Sequence, residues 1–558
     1  MTRLIGVGVG PGDPELITVK AVRVLREADV VLVPVLAAAD PEPGRAETIV
    51  RAHVPACRVK RLEFALNDTG GVTPRRAAAW QAAAATVAEE FAAGAATVAF
   101  GTLGDPNLYS TFGYLAQTVR ELVPEVTVET VAGITAMQDL ASRAGLSLAE
   151  GTEPVTLVPL NGGVGALAAA LSRGGTVVGY KVGAAASPAP AVLRARLAAA
   201  GRLDDAVIGA RVGLEGERIA PAAEFLPPVA EFPRPAAEFP RPAAEFKRPA
   251  ASVPDIPYLS TLIVPARRPA SIGSALHARH REPAAPARQP SREGRVVFVG
   301  AGPGAPDLLT QRGAQAMASA DIVIWASSLV DQRILEHARH AAEIVDSAQL
   351  PMEGVLPYYE KAAQQKLTIA RVHSGDPALW GAIQEQLEHC TELGLDTEIV
   401  PGVSSFTAVA AAIQRELTIP EVAQSVILTR LGGGKTPMPP GEHVREFARH
   451  GTTMALFLSA ARSGQVQDEL LEGGYPPDTP CVVAYQVTWP DELIIHTPLN
   501  HLAATIKDRR LWKHTLILVG PALAGPARTR SRLYHPGHFH GYRKADPQAR
   551  KQLRARDR

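Results

Sequence analysis

The stretch GVGPGDPELIT (residues 8–18) returns as GAGPGAPDLLT (residues 300–310), at an offset of 292 residues. At the same offset ADVVLVP (28–34) matches ADIVIWA (320–326). Farther along, Gly104-Asp105-Pro106 matches Gly375-Asp376-Pro377 at an offset of 271, and AGIT (132–135) matches PGVS (401–404) at 269. STLIVPA (260–266) pairs with HTLILVGPA (514–522), with Thr261 opposite Thr515. Five blocks in one order with slowly drifting offsets mean duplicated domains, because solenoid repeats run only about 20–50 residues.

Within each half, β-branched runs alternate with amphipathic ones. Residues 4–9 and 296–299 read as strands, each followed by a Gly/Pro loop and a helix over 16–28 or 308–320. Strand 98–100, helix 115–122 and strand 126–131 continue a βαβ pattern, and fresh strands begin at 155–158 and 426–429. The fold class is therefore α/β: two tandem modules, each of two α/β lobes with a cleft between them. The length of 558 residues agrees, since it implies three or four units of about 150 residues.

The drift in offset locates the insertions. AEF recurs at heptad spacing between Phe225 and Phe246, interleaved with prolines that remove backbone donors, so residues 222–250 read as an extended low-complexity insertion in the first module. The first module then spans 1–268, a Pro/Ala/Arg linker 269–293, the second module 294–545 and a basic tail 546–558. A linker of this composition predicts independent halves, each active after the chain is severed near Pro286.

Hydrophobic residues make up 46% and charged residues 20%, an ordinary globular balance, and a net charge of +1 gives no electrostatic case for nucleic acid or an anionic membrane. Cys57, Cys390 and Cys481 are too dispersed for a CxxC site or a disulfide framework, which suits a reducing cytoplasm. The N-terminus lacks the apolar core of a secretory signal, and no apolar run approaches the about 18 residues of a spanning helix.

Several motifs resolve to bland readings. The glycine loops run GxGPG where a dinucleotide fold needs GxGxxG, leaving a rigid turn that lets a ligand approach the backbone. LGGGKTP (431–437) has Thr429 where a phosphate loop needs glycine, and Pro437, Pro439 and Pro440 forbid the helix that should follow. HPGHFHGYR (535–543) groups three histidines with no cysteine or carboxylate to complete a metal sphere. No GxSxG, Cys/His or HExxH signature supports a hydrolase.

The ordered set GxGPGxPxLxT, GDP turn and PGxS or GIT, present twice, resembles the tetrapyrrole (corrin/porphyrin) methyltransferase superfamily over nearly the whole chain. GTLGDPNLYSTFGYL in the first half resembles the precorrin-2 C(20)-methyltransferases. HSGDPALWGAIQEQ, VPGVSSFTAVAA, AYQVTWPDE and LYHPGHFHGYR in the second resemble the precorrin-4 C(11)-methyltransferases. The resemblance implies one S-adenosyl-L-methionine per half, folded in the cleft and held largely by backbone. The matching positions are Pro11, Leu103, Gly104, Asp105, Leu108, Thr135, Ala136, Lys181, Val212 and Gly213 in the first half. In the second they are Pro303, Ser374, Gly375, Asp376, Leu379, Ser404, Ser405, Leu458, Val487 and Thr488. Asp13 becomes Ala305, so both halves cannot require an acid there.

What the resemblance implies further is in-line methyl transfer to a nucleophilic ring carbon, with no covalent enzyme nucleophile, no metal, and a base that the motifs do not name. Precorrin-type substrates carry carboxylates, so Lys181, Arg430 and Lys435 are candidate cations. A homodimer is expected. Cobalt-containing forms of the same substrates, a tetrapyrrole carrier with one active half, and a same-fold enzyme acting on protein side chains stand as alternatives.

Overall fold

The computed structural model describes residues 2–36, 42–55, 58–64, 74–184, 187–226, 256–268, 294–419, 422–433, 438–439 and 441–524. In the leading lobe of the first half, β1 (Arg3–Gly8), β2 (Val30–Val35), β3 (Val59–Glu63), β4 (Thr97–Thr102) and β5 (Thr127–Val131) form a parallel sheet in the order β3-β2-β4-β1-β5. The trailing lobe holds β6 (Val155–Pro159), β7 (Thr176–Tyr180), β8 (Val207–Ala210), β9 (Arg218–Pro221) and β10 (Ser260–Val264). The second half repeats this with β11 (Arg295–Gly300), β12 (Ile322–Trp325), β13 (Glu343–Asp346), β14 (Thr368–His373) and β15 (Asp396–Val400), in the order β13-β12-β14-β11-β15. Its trailing lobe holds β16 (Val426–Arg430), β17 (Thr453–Phe457), β18 (Pro480–Tyr485), β19 (Leu493–Pro498) and β20 (Thr515–Val519).

The two trailing lobes are not separate. Their strands form one sheet in the order β19-β18-β20-β17-β16-β6-β7-β10-β8-β9, which reads as a palindrome about the β16–β6 seam. There Val426, Ile427 and Leu428 pair antiparallel with Leu157, Thr156 and Val155. A single apolar cluster crosses the seam, with Met137, Leu140, Leu148 and Val155 of the first half buried against Phe406, Val409, Leu417 and Val426 of the second. A second contact joins the leading lobes. Thr18 and Thr310 cap the helices Val19–Glu27 and Gln311–Ser319 through Oγ1 and also face each other, with Val19 N donating to Leu309 O (2.9 Å) and Gln311 N to Ile17 O (2.9 Å).

This pseudo-twofold corrects the expectation of independent halves, whatever the linker does, because strand edges and apolar faces of each half are completed by the other. Residues 269–293, most of the proposed insertion (227–250), Cys57, Lys435, the histidine cluster at 535–540 and the tail lie outside the described residues. The insertion begins later than expected: Ala222–Phe225 is a short helix following Pro221, with Ala222 and Phe225 buried. One pairing slips by a residue. In strand register Ser260, not Thr261, is the counterpart of Thr515, since Thr261 stands opposite Gly209 and Leu516 opposite the equivalent Ala484. In this register Ile263 and Leu518 are equivalents, and both join the apolar cluster at the seam.

The helix expected over 16–28 is two pieces, a 3-10 turn Pro14–Leu16 and the helix Val19–Glu27, broken where Thr18 turns back as cap; residues 306–319 repeat the break. Among the described residues no helix is long and apolar enough to cross a membrane, and no group of metal-ligating side chains gathers. Cys390 and Cys481 are buried free thiols, both pushed up to about 12 by burial.

Candidate functional site

Six pairs of left-handed residues cluster at the strand ends of the two halves. They are Gly10 and Gly302 (φ 86° and 77°), Gly104 and Gly375 (73° and 67°), Tyr109 and Trp380 (51° and 56°), Lys181 and Leu458 (63° and 51°), Arg211 and Gln486 (52° and 45°), and Gly213 and Thr488 (73° and 69°). Lys181 and Leu458 follow β7 and β17 directly, and Arg211 and Gln486 follow β8 and β18. An L-residue held there costs about 1–2 kcal/mol. The same cost at equivalent places in two diverged halves marks a constrained backbone and makes these strand ends the candidate site.

The glycine loop joins the lobes. A Cβ on Gly12 would stand 2.3 Å from Val212 O, and one on Gly304 2.3 Å from Trp489 Cδ1. In the second half Ala305 N donates to Thr488 Oγ1 (2.9 Å) and Trp489 Nε1 to Pro303 O (2.7 Å). Thr488→Val keeps shape and removes that acceptor, and losing one such bond costs about 0.5–1.5 kcal/mol. The expected result is roughly five-fold weaker donor binding at the second cleft with the first unchanged, read by calorimetry.

The GDP turns lie over the glycine loops through backbone bonds: Gly104 N donates to Gly10 O (2.7 Å) and Gly375 N to Gly302 O (2.8 Å). Their carboxyls point inward. Asp105 accepts from Asn107 N (2.8 Å) and Gly133 N (3.0 Å), and Asp376 from Ala378 N (2.9 Å) and Gly402 N (3.1 Å). Burial pushes both up to about 7 against those N–H groups. These acids therefore clamp one loop to the next, with both carboxylate oxygens engaged by backbone N–H groups. A Cβ on Gly375 would meet nothing within 4 Å, and on Gly104 only Ile134 O at 4.0 Å, so each turn faces open space.

The remaining sequence candidates converge on the same loops. Thr135 and Ser404 are the buried N-caps of helices Ala136–Ala144 and Ser405–Ala412, and Leu108 and Leu379 pack beneath the turns. Leu103 is half-buried, Ser374 exposed, and Leu458 69% exposed, an apolar side chain held out on a strained backbone. Arg430 stands in register with Phe457 at the end of β16, and Lys435 lies outside the described residues. Asp13 explains its own absence from the second half: it pairs with Arg143 (2.9 Å) and, across the halves, with Arg312 (2.6 Å).

The motifs missed the aromatic floor of each cleft, Tyr109 against Tyr180 (5.0 Å between ring centroids) and Trp380 against Phe457 (4.6 Å). Aligning the strands β7 and β17 would have paired Tyr180 with Phe457. Trp380 Nε1 and Gln486 Oε1 are buried without a partner among the described residues, free to meet a polar ligand. Also unforeseen, the halves brace each other's turns. Leu417 N donates to Asn107 O (2.9 Å) and Tyr109 N to Thr418 Oγ1 (2.7 Å); in return Leu148 N donates to Ala378 O (2.8 Å) and Gln138 Nε2 to Asp376 Oδ2 (2.9 Å).

Two strained, backbone-lined clefts per chain, built on one repeated α/β plan, are matched by a family model over residues 3–225 and 295–503. The chain belongs to the tetrapyrrole (corrin/porphyrin) methylases. It is 43% identical over 251 residues to a cobalt-precorrin-4 C(11)-methyltransferase of Methanocaldococcus jannaschii, covering 45% of this chain and 96% of that one. A precorrin-4 C(11)-methyltransferase of Pseudomonas aeruginosa is 41% identical over 248 residues, 44% of this chain and 98% of that one. Among solved structures, a cobalt precorrin-4 methyltransferase of cobalamin biosynthesis is 40% identical, with a TM-score of 0.40, over 41% of this chain and 96% of that one.

Proposed function

We propose that each half binds one S-adenosylmethionine, and that the second half methylates carbon 11 of precorrin-4 and the first carbon 20 of precorrin-2, in cytoplasmic cobalamin biosynthesis. The carbon 11 reading is supported by relatives bearing that activity in their names, matched over nearly their full length. The carbon 20 reading is supported by the GTLGDPNLYSTFGYL motif and its equivalent cleft. The observation that carries two donor sites is the recurrence of the same left-handed backbone positions at both clefts.

When bound, the donor supplies a methyl group on a sulfonium that is already a good leaving group. The chain then has to orient the ring carbon and exclude water, effects worth up to roughly 7–11 kcal/mol. Gly104, Gly375, Lys181 and Leu458 present backbone to the donor, while the rings of Tyr109 with Tyr180, and Trp380 with Phe457, form apolar floors. Arg430 and Lys181 are the cations for substrate carboxylates. Because each half already pairs with the other, the functional unit is one chain in place of a homodimer of chains.

The test is incubation with labelled donor and either precorrin-2 or precorrin-4, each metal-free and with cobalt, followed by mass spectrometry. One added methyl on each substrate is expected. Methylation of precorrin-4 alone would remove the carbon 20 assignment.

A further inference from the structure

The joint between glycine loop and trailing lobe is made differently in the two halves. In the second, neutral hydrogen bonds tie the loop to the turn after β18: Ala305 N donates to Thr488 Oγ1 and Trp489 Nε1 to Pro303 O. In the first, Gly213 and Leu214 stand at the places of Thr488 and Trp489, and neither can make such a bond. The contact is as close, since a Cβ on Gly213 would stand 2.6 Å from Asp13 N. Yet among the described residues no hydrogen bond passes directly between residues 10–13 and the Val212-Gly213 turn.

Arg143 fills that gap. From helix Ala136–Ala144 its Nη2 reaches Asp13 Oδ2 in the loop (2.9 Å), and its Nη1 reaches Glu217 Oε2 (3.1 Å). The same Glu217 oxygen accepts from Gly213 N in the turn (2.6 Å), while Arg143 Nε donates to Asp139 Oδ1 (2.7 Å). Loop, guanidinium, carboxylate and turn thus form one chain of contacts across the joint between the lobes. Burial works against the Arg143 charge, yet Asp139, Glu217 and Asp13 together raise the guanidinium above its ordinary value. Arg312 of the second half donates to the same Asp13 Oδ2 (2.6 Å) and to Glu15 Oε2 (2.9 Å).

The parts change together between the halves. Counted from the helix caps Thr135 and Ser404, Asp139 and Arg143 correspond to Ala408 and Ala412, as Asp13 does to Ala305. Glu492 keeps the place of Glu217 and accepts from Thr488 N (2.6 Å), but it has no ion pair among the described residues. One half therefore carries the whole ionic set and the other the whole neutral set. We infer that Arg143, with Arg312 brought from the second half, is a positioning residue that locks the first glycine loop onto the Gly213 turn, so that donor binding in the first cleft depends on an ionic joint. This rests on the reading above that each half binds one donor.

The test is donor binding to the full chain by calorimetry, with the second site as the control for folding. Charge-assisted hydrogen bonds are about twice as strong as neutral ones, so Arg143→Met should weaken one of two sites about 10-fold and leave the other unchanged. Ultraviolet crosslinking of labelled donor assigns the weakened site: label should be lost from residues 1–268 and kept in 294–558. Asp13→Asn, a milder change, should show the same one-sided loss. Arg312→Met should show a smaller one that adds nothing to Asp13→Asn. Raising salt from about 0.1 to 1 M shortens the Debye length from about 10 to about 3 Å, which should weaken the first site several-fold in the wild type and not in Arg143→Met. Two unchanged sites, an equal loss at both, a loss at the second alone, additive losses for Arg312→Met and Asp13→Asn, or a salt response that survives in Arg143→Met overturns the inference. A wild-type protein that binds fewer than two donors overturns the parent reading instead.

Discussion

Produced separately, residues 1–268 and 294–558 will each be at least 100-fold less active than in the intact chain, and mixing them will restore both reactions. Separation strips the β6–β16 seam and opens the shared apolar cluster. Fully burying one large aliphatic or aromatic side chain is worth about 1.5–3 kcal/mol. Exposing only Met137, Leu148, Phe406 and Val409 would then cost about 6–12 kcal/mol, as much as an entire domain's stability of about 5–15 kcal/mol. The turns would also lose the braces from Leu417, Thr418, Leu148 and Gln138. A nick between 269 and 293 in the folded protein should leave both reactions intact, because the seam does not depend on that peptide bond. Sedimentation and activity of each piece decide the matter, and a monomeric half with full activity would falsify the shared-core account.

The second large effect is on donor stoichiometry. Gly133→Ala places a methyl 2.3 Å from Gly104 O, and Gly402→Ala places one 2.2 Å from Gly375 O. Both neighbours are backbone and cannot swing aside as a side chain would. Overpacking costs about 1–3 kcal/mol, and each 1.4 kcal/mol is tenfold in affinity, so donor binding at the affected cleft should weaken roughly 10- to 100-fold. Equilibrium dialysis with labelled donor should count two sites in the wild type and one tight site in either variant. Two tight sites retained in both variants, or none in either, would remove the two-cleft model.

Much of this protein was legible in its sequence because duplication repeats whatever the backbone cannot do without. The GxGPG loops, the GDP turns and the capping Thr18 and Thr310 recur since each satisfies a local demand: a left-handed turn, a loop clamp, a helix end. Local demands fix residue types at fixed spacing, so the two α/β modules and their lobes, with the loops at their strand ends, were legible from pattern alone. The role of Asp105 and Asp376 did not, because spacing places a carboxyl at a turn without saying which way it points.

Only the tertiary structure decided how the halves meet. Whether residues 155–157 find a partner in 426–428 depends on two apolar faces some 270 positions apart, and no local pattern distinguishes a strand edge that pairs from one left open. The same holds for Glu416. In sequence it is an acid after a helix; in the fold the seam sets it against Gly113 just past the first turn, as it sets Glu150 against Gln384 N just past the second. Sequence determined the two clefts, while the long-range burial that joins them determined what each is made of.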